Sequence, residues 1–160
     1  MAEDTERLHF LEWPHGALGC RTRGRSLTGI RFLAALPDDV GQAQDHPAVR
    51  AIKAWLEQGG ELAPDASWQL EPSGTRFQQR VWRALREIPP GQTRTYADLA
   101  GELGSGPRAV AGACRRNPVP LVIPCHRVVA RQGLGGFSGQ TSGPAIEMKR
   151  WLLAREGALS

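Results

Sequence analysis

The six residues Pro124-Cys125-His126-Arg127-Val128-Val129 are the most informative stretch of this 160-residue sequence. They follow an apolar run, Val119 to Ile123, and precede a glycine-rich turn, Gly133 to Gly139. This pattern predicts a cysteine at the end of a strand with a histidine beside it. Such a thiol becomes a nucleophile when neighbouring donors or positive charge lower its pKa, because the thiolate is the reactive species. A buried structural cysteine followed by a solvated histidine is the alternative interpretation.

Three short helices are predicted upstream of this segment. The pairs Thr75-x-x-Gln78 and Thr95-x-x-Asp98 are typical capping boxes, and each begins a helix. Pro89-Pro90-Gly91 ends the first of these helices, and a third helix is predicted from Pro107 to about Arg116. Two short helices joined by a glycine-containing turn indicate a helix-turn-helix.

The third of these helices is nearly bare of bulky side chains. Its small residues are Ala109, Ala111, Gly112 and Ala113. Small residues let a helix lie close to another surface, and the same element carries Arg108, Arg115 and Arg116. The composition favours contact with DNA, and a tightly packed internal helix with arginines at its ends is the alternative.

The first part of the chain predicts a small sheet and one helix. Residues 8–36 indicate short strands separated by turns, of which Ser26 to Leu33 is the clearest strand. A polar loop, Pro37 to His46, leads to a helix that begins at Pro47 and ends at Gly59-Gly60.

We expect two domains in an α/β (α+β) fold. After a last short strand at Trp68-x-Leu70, the stretch Glu71-Pro72-Ser73-Gly74 is typical of a boundary. Residues 1–72 are expected to form an N-terminal α/β lobe. Residues 73–160 are expected to form a mostly helical, winged-helix-like domain that contains the helix-turn-helix and Cys125.

The chain ends in an amphipathic helix predicted from Pro144 to Glu156. A carboxylate in the last turn of a helix is unfavourable against the helix dipole. A compensating partner for Glu156 is therefore expected, and a histidine is a natural candidate. A solvated glutamate is the alternative.

Charge is distributed unevenly along the chain, whose net charge is +4. Residues 1–72 carry 7 basic and 11 acidic side chains, a net −4, whereas residues 73–160 carry 13 basic and 5 acidic side chains, a net +8. A basic half is typical of a domain that faces a polyanion. Ordinary surface decoration by arginine is the alternative.

The cysteines and the termini indicate an intracellular setting. The three cysteines are an odd number without a CxxC pair, which favours a reducing compartment over a disulfide framework or a metal site. No window is apolar enough to span a membrane, and the N-terminus, Met1 to Asp4, lacks the apolar core of a signal peptide. We expect a cytoplasmic protein, associated with the nucleoid, or a nuclear one in a eukaryote.

These elements together resemble the O6-alkylguanine-DNA alkyltransferase family, also called methylated-DNA–protein-cysteine methyltransferases. The match covers residues 74–157, just over half of the chain, with order and spacing intact. The N-terminal lobe fits the family only loosely. The matching motifs are Gly74-Thr75-x-Phe77-Gln78-x-x-Val81-Trp82-x-x-Leu85, Ile88-Pro89-x-Gly91-x-Thr93-x-Thr95-Tyr96-x-x-Leu99-Ala100, Arg108-Ala109-Val110, Asn117-Pro118, Pro124-Cys125-His126-Arg127-Val128 and Lys149-x-x-Leu152-Leu153-x-x-Glu156.

The resemblance implies DNA repair by a suicide mechanism, in which an alkyl group such as methyl moves from guanine O6 in double-stranded DNA to the protein after the nucleotide has rotated out of the duplex. It makes Cys125 the nucleophile and alkyl acceptor. It makes His126 the base that takes the thiol proton through a water, and Glu156 the carboxylate that orients and charges His126. Tyr96 is the implied donor to the leaving guanine, and Asn117 the residue that holds the turn carrying the cysteine.

The resemblance also implies a substrate pocket and a DNA-binding surface. Tyr96, the Val128 carbonyl and the Ser138 backbone are expected to contact the base, with Cys114 and Phe137 as apolar walls. The helix rich in small residues is expected in the minor groove, with one arginine filling the gap that the rotated base leaves. The implied DNA contacts are Thr95, Arg108 (the gap-filling arginine), Ala109, Gly112 and Arg115. No cofactor or metal is implied, since the thiol is consumed, and a monomer is expected, alone or cooperative on DNA.

Three departures from the family pattern bear on these expectations. The turn before Arg108 is about two residues shorter, Phe137 stands where a tyrosine is usual, and Gln140 to Pro144 replaces part of a glycine-rich loop, which bears on the alkyl groups accepted. Rival classes are a non-enzymatic lesion sensor, a cysteine hydrolase and a transcription regulator. Sensors of that kind carry tryptophan in place of the cysteine, so Cys125 argues against the first.

Overall fold

The computed structural model describes residues 5–38 and 45–159. It divides the chain into two compact units, with the boundary between Ser73 and Gly74. Most of the loop predicted between Pro37 and His46, and the N-terminal residues Met1 to Asp4, lie outside the described residues.

The first unit contains a four-stranded sheet. Strands β1 (Glu6–Trp13), β2 (Gly16–Arg23) and β3 (Ser26–Leu33) form an antiparallel meander, and β4 (Gln69–Leu70) pairs in parallel with β3. Helix α1 (Pro47–Gln58) begins at the predicted proline and ends before Gly59, whose positive φ suits glycine. The strands and the helix predicted in this part of the chain are confirmed.

Four helices dominate the second unit. They are α2 (Arg76–Arg86), α3 (Tyr96–Leu103), α4 (Pro107–Arg115) and α5 (Pro144–Arg155). Together with the sheet of the first unit they confirm the mixed α/β fold class. No helix among the described residues is long and apolar enough to cross a membrane.

The helix-turn-helix is built from α3 and α4, as predicted. Both capping boxes form: the Thr75 hydroxyl accepts from the Gln78 N–H at 3.1 Å, and the Thr95 hydroxyl accepts from the Asp98 N–H at 3.0 Å. Helix α2 holds α4 through the buried Trp82, whose indole N–H donates to a carbonyl of α4 at 2.8 Å. These contacts set the position of α4 within the second unit.

A two-stranded parallel sheet ties the start of α3 to the segment of Cys125. Strand β5 (Arg94–Thr95) pairs with β6 (Val128–Val129), which follows directly on a single 3-10 turn, Cys125–Arg127. The cysteine and the N-terminus of α3 are therefore fixed relative to each other by backbone hydrogen bonds.

The prediction of a strand leading into Cys125 is wrong. Val119 to Ile123 forms a tight turn, in which the Ile123 N–H donates to the Val119 carbonyl at 2.9 Å and Leu121 has a φ of 78°. The cause is local chemistry. Pro120 has no N–H to give to a sheet, and the Asn117 side chain spans the turn, accepting from the Val119 N–H at 2.9 Å and donating to the Ile123 carbonyl at 2.8 Å.

Candidate active site

Cys125 lies at the start of the 3-10 turn and is 8% exposed. The Asn117 side chain braces the turn that carries it, as described above, and also forms a hydrogen bond with the thiol that lowers its pKa. The resemblance assigned this bracing role to Asn117, and the contacts agree with it. Leu121, in the left-handed region, stores local strain in the same turn.

The thiol of Cys125 is protonated in the resting protein. Burial raises the pKa of Cys125 above its ordinary value, and the hydrogen bond from Asn117 and the positive charge of Lys149 oppose that rise without cancelling it. The expectation of a lowered thiol pKa is therefore wrong for the free protein. A base has to remove the proton when the thiol reacts.

His126, Arg127 and Glu156 form one buried cluster behind the cysteine. His126 Nε2 lies 3.0 Å from Glu156 Oε1. The Arg127 guanidinium donates to the same carboxylate twice, from Nε at 3.0 Å and from its terminal nitrogen at 2.6 Å, and donates a third bond to the Ile88 carbonyl at 2.6 Å. Glu156 immediately follows α5, so the predicted partner histidine is present, and an arginine that was not predicted joins it.

The charges of this cluster follow from burial and hydrogen bonding. Burial raises the pKa of Glu156, but the hydrogen bonds from His126 and Arg127 outweigh it and lower the pKa to about 2. Burial lowers the pKa of His126 below its ordinary value, although the bond and charge of Glu156 oppose this. Glu156 is therefore ionised while His126 is neutral at neutral pH, so the expectation that Glu156 charges the resting histidine is wrong.

An ionised acceptor on one ring nitrogen decides the tautomer of His126. Nε2 carries the proton and donates it to Glu156, which leaves Nδ1 with a free lone pair. Nδ1 is buried and has no hydrogen-bond partner among the described residues. A neutral imidazole with its second nitrogen held in place by a carboxylate is suited to accept a proton.

Lys149 is a second buried cation near the thiol. It lies on α5, is fully buried, and donates to the Val128 carbonyl at 2.6 Å and to the Gly136 carbonyl at 2.9 Å. Burial lowers the pKa of Lys149 to about 8, while the charges of Cys125 and Cys114, when ionised, raise it. Lys149 therefore still carries its charge for most molecules at neutral pH and stabilises a thiolate as it forms.

A cavity of about 230 Å³ opens beside Cys125. Of the residues expected to contact the base, Tyr96, Cys114, Phe137 and Ser138 line it together with Cys125. Val128 does not line it, because its side chain is fully buried and its carbonyl already accepts from Lys149. The other lining residues are Ala111, Arg115, Gly136, Gly139, Gln140 and Thr141.

Tyr96 is the phenol of this cavity. Its hydroxyl donates to the Gly136 carbonyl at a long 3.4 Å. Burial raises the pKa of Tyr96, and the charges of Cys114 and Cys125, when ionised, raise it further. The hydroxyl therefore keeps its proton and can donate it to a ligand.

A tight hairpin turn forms one rim of the cavity. The Phe137 and Gln140 backbones exchange two hydrogen bonds, at 2.8 and 3.0 Å. The two residues between them have positive φ, 51° at Ser138 and 77° at Gly139, as in the two-residue turns that join strands tightly. The turn presents the Ser138 backbone at the cavity in a fixed orientation.

The face of α4 that carries the small residues is open. Arg108, Ala109 and Arg115 are exposed, and a Cβ added at Gly112 would meet no atom within 4 Å. Val110, Ala113 and Cys114 form the opposite, buried face. Thr95, the remaining residue expected at DNA, is the N-cap of α3 and is half-buried. The small residues thus lie on both faces, and only some of them serve internal packing.

Comparisons with known proteins address this combination of fold and site. The family model described as "6-O-methylguanine DNA methyltransferase, DNA binding domain" matches residues 76–158, just over half of the chain. A methylated-DNA–protein-cysteine methyltransferase of Mycobacterium bovis is 36% identical over 160 residues, covering 93% of this chain and 92% of its own. The chain belongs to the methylated-DNA–protein-cysteine methyltransferase family.

Other relatives differ in how much of the chain they match. A probable methylated-DNA–protein-cysteine methyltransferase of Acanthamoeba polyphaga mimivirus is 46% identical over 86 residues, 52% of this chain and 54% of that protein, so this match spans about half of either. The crystal structure of Mycobacterium tuberculosis OGT in complex with DNA is 34% identical, with a TM-score of 0.75, and covers 94% of this chain and 92% of that one. The first unit, loosely matched from sequence, thus shares the fold of this methyltransferase family.

Two charged residues of this methyltransferase site were not assigned a role from sequence. Arg127 and Lys149 both stand inside the quoted family motifs, and only their burial distinguishes them from surface cations. Their partners lie 29 and 21 residues away in the chain. Two cations next to a candidate nucleophile in a family motif are the one signal that could have marked them. No group of three or more His, Cys, Asp or Glu side chains within residues 5–38 and 45–159 is placed to hold a metal ion.

Proposed function

We propose that this chain repairs O6-alkylguanine in double-stranded DNA by moving the alkyl group, such as methyl, to the sulfur of Cys125, once per molecule. The observation that carries the proposal is the cavity walled by Cys125 and Tyr96, with the neutral His126 of the Glu156 cluster beside it. Family membership supports the same reaction. The suicide step, the rotated nucleotide and the individual residue roles are our proposal.

The proposed reaction begins with removal of the thiol proton. His126 Nδ1 takes the proton of Cys125 through a water, and the resulting imidazolium is stabilised by the ionised Glu156. Lys149 opposes the thiolate charge as it develops. A protonated resting thiol fits a protein that is used once, because it remains unreactive toward stray electrophiles until a substrate is bound.

The alkyl carbon is then attacked in line by the sulfur. The S–C bond forms as the C–O6 bond breaks, and the electron pair of the broken bond stays on the guanine. Tyr96, whose raised pKa keeps it protonated, donates to the leaving base and so neutralises the charge. The Ser138 backbone, fixed by the hairpin turn, contacts the polar edge of the base.

A duplex hides guanine O6, so the nucleotide has to leave the stack to reach the cavity. We propose that α4 lies in the minor groove on its open face, with Ala109 and Gly112 against the sugars and Arg108 in the gap left by the rotated base. Thr95 and Arg115 contact the backbone. Such contacts depend little on sequence, as a repair protein requires.

The stoichiometry of transfer tests the proposal. Incubation with a duplex that holds one O6-methylguanine should add one methyl group per chain, and peptide mass spectrometry should find it on Cys125. Cys125→Ala should abolish transfer and retain binding to the duplex. Cys20→Ala, a buried cysteine of β2 in the first unit, is the matched control and should still be methylated at Cys125. Turnover beyond one methyl per chain, or a methyl on Cys20 or Cys114, would contradict the proposal.

A further inference from the structure

The cavity beside Cys125 has an uneven charge. Of the described residues that line it, Arg115 alone carries a charge, and none is acidic. The buried Lys149 ammonium lies behind the same wall, where its charge acts on both Cys125 and Cys114. A positive potential without a nearby carboxylate favours a negatively charged group in the cavity.

Arg115 is held so that its guanidinium is available to a ligand. It is the last residue of α4, and its side-chain stem lies against the hairpin turn, where a Cβ built at Gly139 would be 3.6 Å from both Cγ and Cδ of Arg115. No ion pair or side-chain hydrogen bond engages Arg115 within the described part of the chain. A planar guanidinium with free donors binds a carboxylate through two parallel hydrogen bonds.

We propose that Arg115 makes the cavity selective for guanine O6 adducts whose alkyl group ends in a carboxylate, of which carboxymethyl is the smallest. This inference rests on the proposed function, since it names the substrate class of the same site. The carboxylate would bind the guanidinium while its CH2 carbon faces the sulfur of Cys125. A neutral methyl group gains nothing from Arg115, and an ammonium-bearing alkyl group is repelled.

The transfer step is the same as for methyl. The sulfur of Cys125 forms a bond with the CH2 carbon, the C–O6 bond breaks with its electron pair going to guanine, and the thiol proton ends on the guanine by way of His126 and Tyr96. The products are neutral guanine and S-carboxymethylcysteine at position 125. No oxidant or further reactant takes part.

Free nucleosides test the inference without the phosphates of DNA, which also attract Arg115. O6-methyl-, O6-carboxymethyl- and O6-(2-aminoethyl)-2′-deoxyguanosine are incubated separately with the full chain, and modification of Cys125 is followed by mass spectrometry. Arg115→Gln should lower the ratio of the carboxymethyl rate to the methyl rate about tenfold, the worth of one charge-assisted hydrogen bond. The aminoethyl-to-methyl ratio should rise in the same variant, and Arg115→Lys should fall between wild type and Arg115→Gln.

The neighbouring Arg116 supplies the matched control. It is exposed, follows α4 directly and does not line the cavity, so Arg116→Gln should leave both ratios as in the wild type. Because each ratio is taken on one preparation, loss of folded protein cancels. Methyl transfer with ratios that Arg115→Gln does not change would overturn the inference and leave the proposed function standing. Absence of transfer from every nucleoside and from methylated duplex would overturn both.

Discussion

The carboxylate of Glu156 accepts hydrogen bonds from two consecutive residues of the 3-10 turn, His126 and Arg127. A carboxylate buried next to one arginine is stabilised as an anion, and its attraction also holds the imidazole in one tautomer. Because Arg127 also donates to the Ile88 carbonyl, the cluster joins the end of α5, the cysteine turn and the segment after α2. Catalysis and folding of the second unit therefore depend on the same ionised group.

Glu156 should make stability fall in acid. Its pKa is about 2 in the folded chain against 4.5 ordinarily, so between pH 4.5 and 2 the unfolded chain binds a proton that the folded chain does not. The stabilisation is fully present above pH 4.5 and is lost as the pH falls through 2, a change of about 3 kcal/mol in the free energy of unfolding. Urea unfolding at intervals across this window measures it.

The same titration on two variants isolates this carboxylate. Glu156→Gln should be less stable than the wild type at pH 7 and should lose about 3 kcal/mol less between pH 4.5 and 2. Glu147→Gln removes an exposed carboxylate from the first turn of the same helix and should follow the wild-type curve. If Glu156→Gln and the wild type lost equal stability in this window, the carboxylate would not be ionised and paired as described.

At this scale, sequence predicts identities better than electrostatics. Cys125, His126 and Glu156 could be named because residue types and order carry the pattern. The directions of the Cys125 and His126 pKa values could not, because they depend on desolvation, and burial is a property of the packed chain. For the same reason Val128 was expected at the base, although its carbonyl binds Lys149 in the fold.

Among the elements, local signals predicted best. Prolines mark the first residues of α1, α4 and α5, and the two threonine caps mark the starts of α2 and α3. The strand predicted over Val119 to Ile123 failed, because apolar β-branched composition describes burial as well as it describes a sheet. The Asn117 side chain supplied the hydrogen bonds that a partner strand would otherwise have given.

Helix α4 allows a direct test of why its open face is small. Gly112 has open space where a Cβ would stand, so Gly112→Leu should keep or raise stability, because glycine disfavours a helix interior by up to about 1 kcal/mol. If this face lies in the minor groove, the added bulk should weaken affinity for duplex DNA about tenfold, or 1.4 kcal/mol. Fluorescence anisotropy with a labelled duplex and thermal unfolding measure the two effects.

Gly101 on the preceding helix α3 is the matched control for that substitution. It also has no atom within 4 Å of an added Cβ, so Gly101→Leu should change stability in the same direction and leave DNA affinity near the wild-type value. A Gly112→Leu variant that unfolds more easily would favour the internal-packing alternative for α4. An unchanged affinity would remove this face from the DNA interface.

Across the whole molecule, charge separates along the chain at the boundary of the two units. Residues 1–72 carry a net −4 and residues 73–160 a net +8, so attraction to a polyanion should reside in the second unit. Five of its arginines lie on α2, α4 or directly after α4 and are exposed, namely Arg76, Arg83, Arg108, Arg115 and Arg116. The acidic first unit should in turn limit non-specific adhesion to DNA by like-charge repulsion.

The salt dependence of DNA binding tests this division. Each phosphate contact releases bound cations, so the slope of log affinity against log salt concentration should become shallower by about 1 when one contact is removed. Arg115→Gln should show that change. Lys53→Gln on α1, an exposed cation of the first unit, should leave the slope unaltered. An equal change in the two variants would mean that the first unit also contacts the phosphates, and the charge division would then not decide which surface binds DNA.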